Sequence, residues 1–167
     1  PDAHRIPMED GVKLPQLLEY EGVEILAPQS FAVELPMANS AYFISTRTKD
    51  DNELPKVAFR VLDAEGATLQ TLVPTESWSS FEGVVAVAFR DMNGDGIPDI
   101  TAINEWTTGI GPEGAVPFQH PCIFVFEPDA GAFWEDSDLL ADAKPLHTGT
   151  IDRIQAFIEA RREVGAP

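Results

Sequence analysis

The stretch VVAVAFRDMNGDGIPDITAIN, residues 84–104, decides the fold. It opens with an apolar run, passes through a short segment rich in Asp and Gly, and resumes with the partly alternating run DITAIN. Valine, isoleucine and phenylalanine favour strands, and a Gly-containing polar segment between two such runs is typical of a strand-to-strand connection. The stretch therefore predicts two consecutive β-strands. The first is the most apolar of the chain and is expected to lie in the centre of a sheet.

The strand pattern continues on both sides of this stretch. Residues 1–21 contain three prolines among polar residues and predict an irregular lead-in. Short strands are predicted at 22–27, 30–35 and 40–46, and hairpins at 56–73 (turn DAEG) and 121–136 (turn PDAG). The sequence thus predicts one mainly β domain over residues 22–167, with antiparallel hairpins in a propeller-like or sandwich-like arrangement.

The C-terminal segment changes period. In GTIDRIQAFIEARREVG, the apolar residues Ile151, Ile154, Phe157 and Ile158 recur at helical spacing. Thr150 is suited to cap the N-terminus. An amphipathic helix is therefore predicted at 150–164, covering one face or edge of the sheet.

Composition limits the classes of partner. Eleven basic residues stand against twenty-eight acidic ones, for a formal net charge of −17. Nucleic acids and anionic membranes are bound by clustered Lys and Arg, so neither is expected as a partner. The alternatives are that the acidity attracts cations or basic proteins, or that it only keeps the protein soluble.

The segment FRDMNGDGIPDI, residues 89–100, has the composition of a cation-binding loop. Counting from Asp91, the odd positions carry Asp91, Asn93, Asp95, Ile97 and Asp99, of which Ile97 offers its backbone carbonyl. Oxygen ligands of this kind suit Ca²⁺, whereas zinc and softer metals prefer Cys and His. The loop lacks the Glu at position 12 that an EF-hand requires, and its flanks are predicted strands. The alternative is a solvated turn without a metal.

Motifs of known enzyme classes are absent from the sequence. It contains neither G-x-S-x-G nor H-E-x-x-H, and it has no Gly-rich phosphate-binding loop. His4, His120 and His147 stand in loop-like or proline-flanked contexts, and the single cysteine, Cys122, lies in the apolar run PCIFVF. We therefore expect a protein that is not an enzyme, with Cys122 as a buried apolar side chain.

The arrangement strand–D-x-N-x-D-G-x-x-D–strand resembles the calcium loop of FG-GAP and VCBS repeats, which are known from integrin-type β-propellers. The likeness covers residues 84–104 and implies calcium ligands at the five positions named above. Residues 55–140 are also similar to small bacterial envelope proteins, which include calcium-binding immunity proteins that inhibit lysozyme-like peptidoglycan hydrolases delivered by secretion systems. These are related in shape to periplasmic lysozyme inhibitors. The resemblance implies Ca²⁺ as the cofactor and a basic cell-wall hydrolase, or another protein, as the partner.

The irregular stretch TTGIGPEGAVPFQH, residues 107–120, is the expected partner-binding segment, because long irregular loops in compact domains are often functional. Trp106, Ile110 and Phe118 are the expected contact residues. For Trp106, ordinary core packing at the end of a strand is the alternative. A bound ion is expected to fix the direction in which the chain leaves the preceding strand.

These observations leave three functions open: an inhibitor of a cell-wall hydrolase, an adhesion or scaffold module that binds glycan or protein, and a calcium-stabilised part of a larger assembly. A periplasmic or extracellular location is expected, because calcium is plentiful there. The chain begins at Pro1 without Met. A removed signal peptide or lipoprotein leader, which would be the only membrane contact expected, and a cloning boundary both agree with this start.

Overall fold

A computed structural model describes residues 4–7, 23–141 and 149–165. Within these ranges the chain forms ten β-strands and one α-helix, with bounds Arg5–Pro7 (β1), Glu24–Ile25 (β2), Phe31–Leu35 (β3), Ala38–Lys49 (β4), Pro55–Leu62 (β5), Thr68–Leu72 (β6), Ser80–Arg90 (β7), Asp99–Thr107 (β8), Phe118–Glu127 (β9), Ala132–Glu135 (β10) and Ile151–Gly165 (α1). The prediction of a mainly antiparallel β domain with a C-terminal helix is confirmed. The finer choice between a propeller-like and a sandwich-like arrangement stays a prediction.

The strands form two antiparallel sheets. The first has the order β1-β3-β4-β5-β6, with β2 paired to the part of β4 beyond β3, and the second has the order β10-β9-β8-β7. Arg5–Pro7 lies within the segment expected to be irregular, yet it pairs with Phe31–Val33 as an edge strand. The other residues of the expected lead-in lie outside the described residues, and the proposed domain bounds stay a prediction.

One apolar core is shared by the two sheets. Phe43 and Phe59 of the first sheet stack on each other, with ring centroids 5.3 Å apart, and Phe89 and Phe124 of the second sheet pack edge-on against them. Alternate residues of β5, Val57, Phe59 and Val61, all lie in this core. This spacing is that of a β-strand, in which every second side chain lies on the same face.

Strand β7, expected in the centre of a sheet, is an edge strand. Its carbonyl groups at Glu82, Val85 and Val87 accept hydrogen bonds from side chains of the other layer, namely Arg47 (2.6 Å), Gln29 (3.2 Å) and Arg5. An uncovered edge would invite pairing with another chain. Side-chain donors therefore cover this edge where a neighbouring strand was expected.

The edge strand β6 of the first sheet and the edge strand β10 of the second sheet are joined through a glutamine side chain. The side chain of Gln70 in β6 donates to the carbonyl of Phe133 in β10 (2.6 Å) and accepts from its N–H (2.9 Å). A primary amide can satisfy both backbone groups of one residue in this way. Gln70 thus takes the place of a strand between the two edges.

Helix α1 covers the outer face of the second sheet, as predicted. Ile154 and Ile158 pack with Met92, Ile123 and other apolar residues in a second core cluster. The N–H of Arg153 donates to the hydroxyl of Thr150 at 3.4 Å, which confirms Thr150 as the capping residue. Among the described residues, no helix is long and apolar enough to cross a membrane.

Candidate cation loop and partner-facing surface

The acidic loop, residues 91–98, connects β7 to β8 and is folded around its own polar side chains. The carboxylate of Asp91 accepts the N–H groups of Gly94 (2.5 Å) and Gly96 (2.9 Å). Asp95 N–H donates to Asn93 Oδ1 at 3.0 Å, and Asp95 Oδ1 accepts from the N–H of Ile97 at 2.7 Å. Short polar side chains that hydrogen-bond to backbone a few residues on stabilise turns of this kind.

Two glycines make this conformation accessible. Gly94 and Gly96 have φ angles of +85° and +86°, in the left-handed region that other residues rarely enter. A Cβ atom at Gly94 would also displace the end of the Arg162 side chain of α1, whose Nη1 lies 1.7 Å from the position that this atom would take. The guanidinium of Arg162 therefore lies against the loop.

Asp99, the last candidate ligand, lies behind the acidic loop and is fully buried. Its Oδ2 accepts from the N–H groups of Met92 (2.8 Å) and Asn93 (3.3 Å), and its Oδ1 accepts from the N–H of Phe126 (3.3 Å). Burial raises the pKa of the Asp99 carboxyl from 3.8 to about 6, although these hydrogen bonds act in the opposite direction. Asp99 therefore ties the start of the loop to strand β9.

The donor set of the loop fits a hard cation by its chemistry. Asp91, Asn93 and Asp95 supply carboxylate and amide oxygens, and Ile97 supplies a carbonyl, which are the ligand types that Ca²⁺ prefers. Both oxygens of Asp99 accept hydrogen bonds, as do both oxygens of Asp91 and of Asp95, but Asp99 alone among these candidates is fully buried. In the part of the chain that the structure describes, no three His, Cys, Asp or Glu side chains form a group able to hold a metal ion.

The long loop, residues 108–117, connects β8 to β9 and has internal hydrogen bonds. Gly109 N–H donates to the carbonyl of Gly114 (2.9 Å), Gly114 N–H donates to that of Gly111 (3.1 Å), and Val116 N–H donates to that of Glu113 (2.9 Å). The loop is therefore held in a defined shape. Residues 118–120, expected to belong to the irregular stretch, are the first residues of β9.

The long loop is anchored at its base and exposes two aliphatic side chains. Ser79 donates its hydroxyl hydrogen to the carbonyl of Thr108 (2.6 Å). A Cβ atom on Gly114 would lie 2.4 Å from the backbone nitrogen of Ile110, so the chain closes tightly on itself there. Ile110 and Val116 are 78% and 60% exposed. Val116 was missed by sequence reasoning, although an aliphatic residue in a Gly- and Pro-rich segment is a recognisable signal.

Trp106 is not a surface anchor, and the expectation that it contacts a partner is wrong. It is 1% exposed and packs edge-on against Phe81 (5.4 Å) and Trp78 (5.7 Å). The physical reason is its position in β8, where it faces the shared core. Phe118 is half-buried against Trp78 at 4.9 Å and supports the base of the loop. Of the three expected contact residues, Ile110 alone is strongly exposed.

The two loops lie at opposite ends of β8. That strand has nine residues, which corresponds to about 26 Å at a rise of ~3.3 Å per residue. The acidic loop precedes the strand and the long loop follows it. An ion in the acidic loop would therefore lie one strand length from the exit into the long loop, and any effect of the ion on the direction of that exit must pass along β8.

Cys122 lies in the shared core next to Asn104, whose Nδ2 is 3.5 Å from the sulfur. Burial raises the pKa of the thiol, so the reactive thiolate is disfavoured. His120 has its Nε2 atom 3.1 Å from Glu76 Oε2 and packs against Trp78. The environment of Cys122 is that of a core cysteine, as the sequence predicted. His147 lies outside the described residues.

Comparison of the chain with protein-family models, with curated proteins and with solved structures gives no match.

Proposed function

We propose that this protein is a calcium-stabilised binding protein of the bacterial envelope that inhibits a lysozyme-like peptidoglycan hydrolase, as an immunity protein does. The observation that carries the proposal is the long loop, which presents Ile110 and Val116 to solvent on a hydrogen-bonded backbone. The resemblance of residues 55–140 to calcium-binding immunity proteins supports the same function.

A preformed loop favours binding because little conformational entropy remains to be lost. Ordering a flexible segment on association costs free energy that reduces affinity. In the long loop, three internal hydrogen bonds and the anchor at Ser79 already restrict the backbone. The two exposed aliphatic side chains can then enter an apolar recess of a partner at a small entropic cost.

Charge complementarity identifies the class of partner. The chain has a formal net charge of −17. Two exposed acids lie near the base of the long loop: Glu82 accepts a hydrogen bond from Thr107 at 2.9 Å, and Glu76 lies beside His120. A third exposed acid, Glu113, belongs to the loop itself. Enzymes that cleave an anionic cell wall are commonly basic, and opposite charges raise the association rate.

Calcium enters the proposal as a stabilising ion. Held by Asp91, Asn93, Asp95 and the carbonyl of Ile97, it would neutralise the acids of the loop, which Asp99 connects to β9. A ligand that binds only the folded state stabilises it by RT ln(1 + [L]/Kd), which is about 2–4 kcal/mol for millimolar calcium and a micromolar to tens-of-micromolar site. Such a site suits the periplasm or the extracellular space.

The ion is tested by thermal unfolding. Calcium is expected to raise the melting temperature of the wild type and of Asp129→Ala, which removes an exposed acid from the β9–β10 turn, but not of Asp95→Ala. An equal response of the wild type and Asp95→Ala, or no response of the wild type, would remove calcium from the proposal.

The inhibition is tested on a set of purified secreted lysozyme-like hydrolases, with and without a chelator. The wild type is expected to inhibit at least one of them at micromolar concentration. Ile110→Asp should lose this inhibition and Val164→Asp should keep it, because both place a new acid at a strongly exposed position and only the first lies in the long loop. Absence of inhibition by the wild type would refute the immunity function.

Equal activity of the two variants would instead move the contact surface away from the long loop. Binding of the wild type to glycan without inhibition of any hydrolase would favour the alternative of an adhesion or scaffold module.

A further inference from the structure

The pair Asn93–Gly94 belongs to the sequence type in which the side-chain amide of asparagine is most readily lost. In an Asn-Gly pair no glycine side chain hinders the backbone nitrogen of glycine. Once this nitrogen has lost its proton, it attacks Cγ of the asparagine. A bond forms between Gly94 N and Asn93 Cγ, the bond from Cγ to Nδ2 breaks, and the nitrogen leaves as ammonia. Water then opens the cyclic imide to aspartate or to isoaspartate.

In the folded protein every group that takes part in this reaction is held. The nucleophile, Gly94 N–H, donates to Asp91 Oδ1 at 2.5 Å. The leaving group, Asn93 Nδ2, donates to Asp95 Oδ2 at 2.9 Å, and Asn93 Oδ1 accepts from Asp95 N–H at 3.0 Å. The guanidinium of Arg162 lies against Gly94 on the side where a Cβ would stand.

We propose that Asn93–Gly94 is a latent deamidation site, which the hydrogen bonds of the acidic loop keep closed and which local opening of the loop exposes. Attack on Cγ requires the Asn93 side chain to rotate toward the Gly94 nitrogen. Both partners must first leave the hydrogen bonds to Asp91 and Asp95. The rate of deamidation therefore follows the fraction of time that the loop is open.

The product would alter the loop permanently. Isoaspartate adds one carbon to the backbone, so the residues after position 93 lose the spacing that places Asp95 and Ile97 in their turns. The amide that donates to Asp95 is replaced by a carboxylate next to Asp91 and Asp95, and like charges close together are unfavourable. This inference goes beyond the proposed function, since it requires neither a bound ion nor a partner.

The test is peptide mapping by mass spectrometry of the full chain incubated in mildly alkaline buffer with a chelator. Folded wild type is expected to deamidate at Asn93 many times more slowly than the same chain in urea. Asp91→Ala is expected to accelerate the folded-state reaction several-fold. Asp129→Ala, a matched loss of one exposed acid outside the loop, should keep the wild-type rate.

Asp95→Ala provides a second variant, since it removes the acceptor of Asn93 Nδ2 and leaves in place the backbone N–H of residue 95 that binds Asn93 Oδ1 and the bond from Gly94 to Asp91. It is expected to react at a rate between those of the wild type and Asp91→Ala. Circular dichroism verifies that each variant is folded. Two results would overturn the proposal: equal rates for folded wild type and the urea-unfolded chain, or rates in both loop variants no greater than in Asp129→Ala.

Discussion

The buried carboxyl of Asp99 makes the stability of the protein depend on pH. Its pKa is raised from 3.8 to about 6 because burial disfavours the charged form. The folded state therefore binds the proton more tightly than the unfolded state does. Its contribution to stability is fully present below the unfolded pKa and is lost as the pH rises through the folded pKa.

The size of the effect follows from the two pKa values. One pKa unit corresponds to about 1.4 kcal/mol, so the interval between 3.8 and about 6 is worth about 3 kcal/mol of unfolding free energy. This amount is a substantial fraction of the total stability of a typical domain, about 5–15 kcal/mol. The contribution of Asp99 is isolated by comparison with a variant that lacks this carboxyl.

Asp99→Asn is that variant. The asparagine cannot ionise, but its NH2 group replaces one of the two oxygens, so the backbone N–H of either Met92 or Phe126 loses its acceptor and the variant is less stable than the wild type. The cost of the substitution is expected to be about 2–3 kcal/mol larger near pH 4, where the folded wild type holds the proton, than near pH 8.

Urea unfolding followed by circular dichroism, in chelator and at several pH values, measures this difference. If calcium reaches this carboxylate, its addition is expected to lower the pH at which the wild type loses the stability contributed by Asp99, because a cation favours the ionised form. A cost of Asp99→Asn that is independent of pH, or that grows as the pH rises, would show that burial does not dominate at this site.

Three further substitutions test the packing. Ile158→Ala should destabilise the protein by about 2–5 kcal/mol, because a buried side chain between α1 and the second sheet is lost. Val164→Ala, on the exposed side of the helix, should cost little. Equal melting temperatures of these two variants would argue against the docking of α1. Gln70→Ala should cost about 1–3 kcal/mol by leaving both backbone groups of Phe133 without a partner, whereas Thr71→Ala next to it should be nearly neutral in urea unfolding. Trp106→Ala should cost about 3–5 kcal/mol because the residue is core, whereas Ile110→Ala should leave the melting temperature unchanged; a small effect of Trp106→Ala would contradict the core assignment.

The sequence predicted those features that depend on local periodicity. The pattern of residues 56–73 predicted a hairpin that β5 and β6 form, and the helical spacing of Ile154 and Ile158 located α1 and its buried face. Such patterns are readable because neighbouring residues fix the period of the side chains. The turn chemistry of the acidic loop was visible for the same reason, since Asp, Asn and Gly act on backbone groups only a few residues away.

Long-range pairing decided the rest. The most apolar strand, β7, lies at an edge, where its carbonyl groups accept hydrogen bonds from Arg5, Gln29 and Arg47, which are distant in sequence. The burial of Trp106 depends on Trp78 and Phe81, which come from elsewhere in the chain.

The candidate site divides in the same way. Its acidic residues, its glycines and the exposed Ile110 could be read from the sequence, because they belong to short segments. The burial of Asp99 beneath β9, the contact of Arg162 with Gly94 and the separation of the two loops by the length of β8 could not. The sequence alone determined which segments form strands, helix and loops. The tertiary structure decided which side chains are left at the surface, because exposure depends on the packing of segments that are distant in sequence.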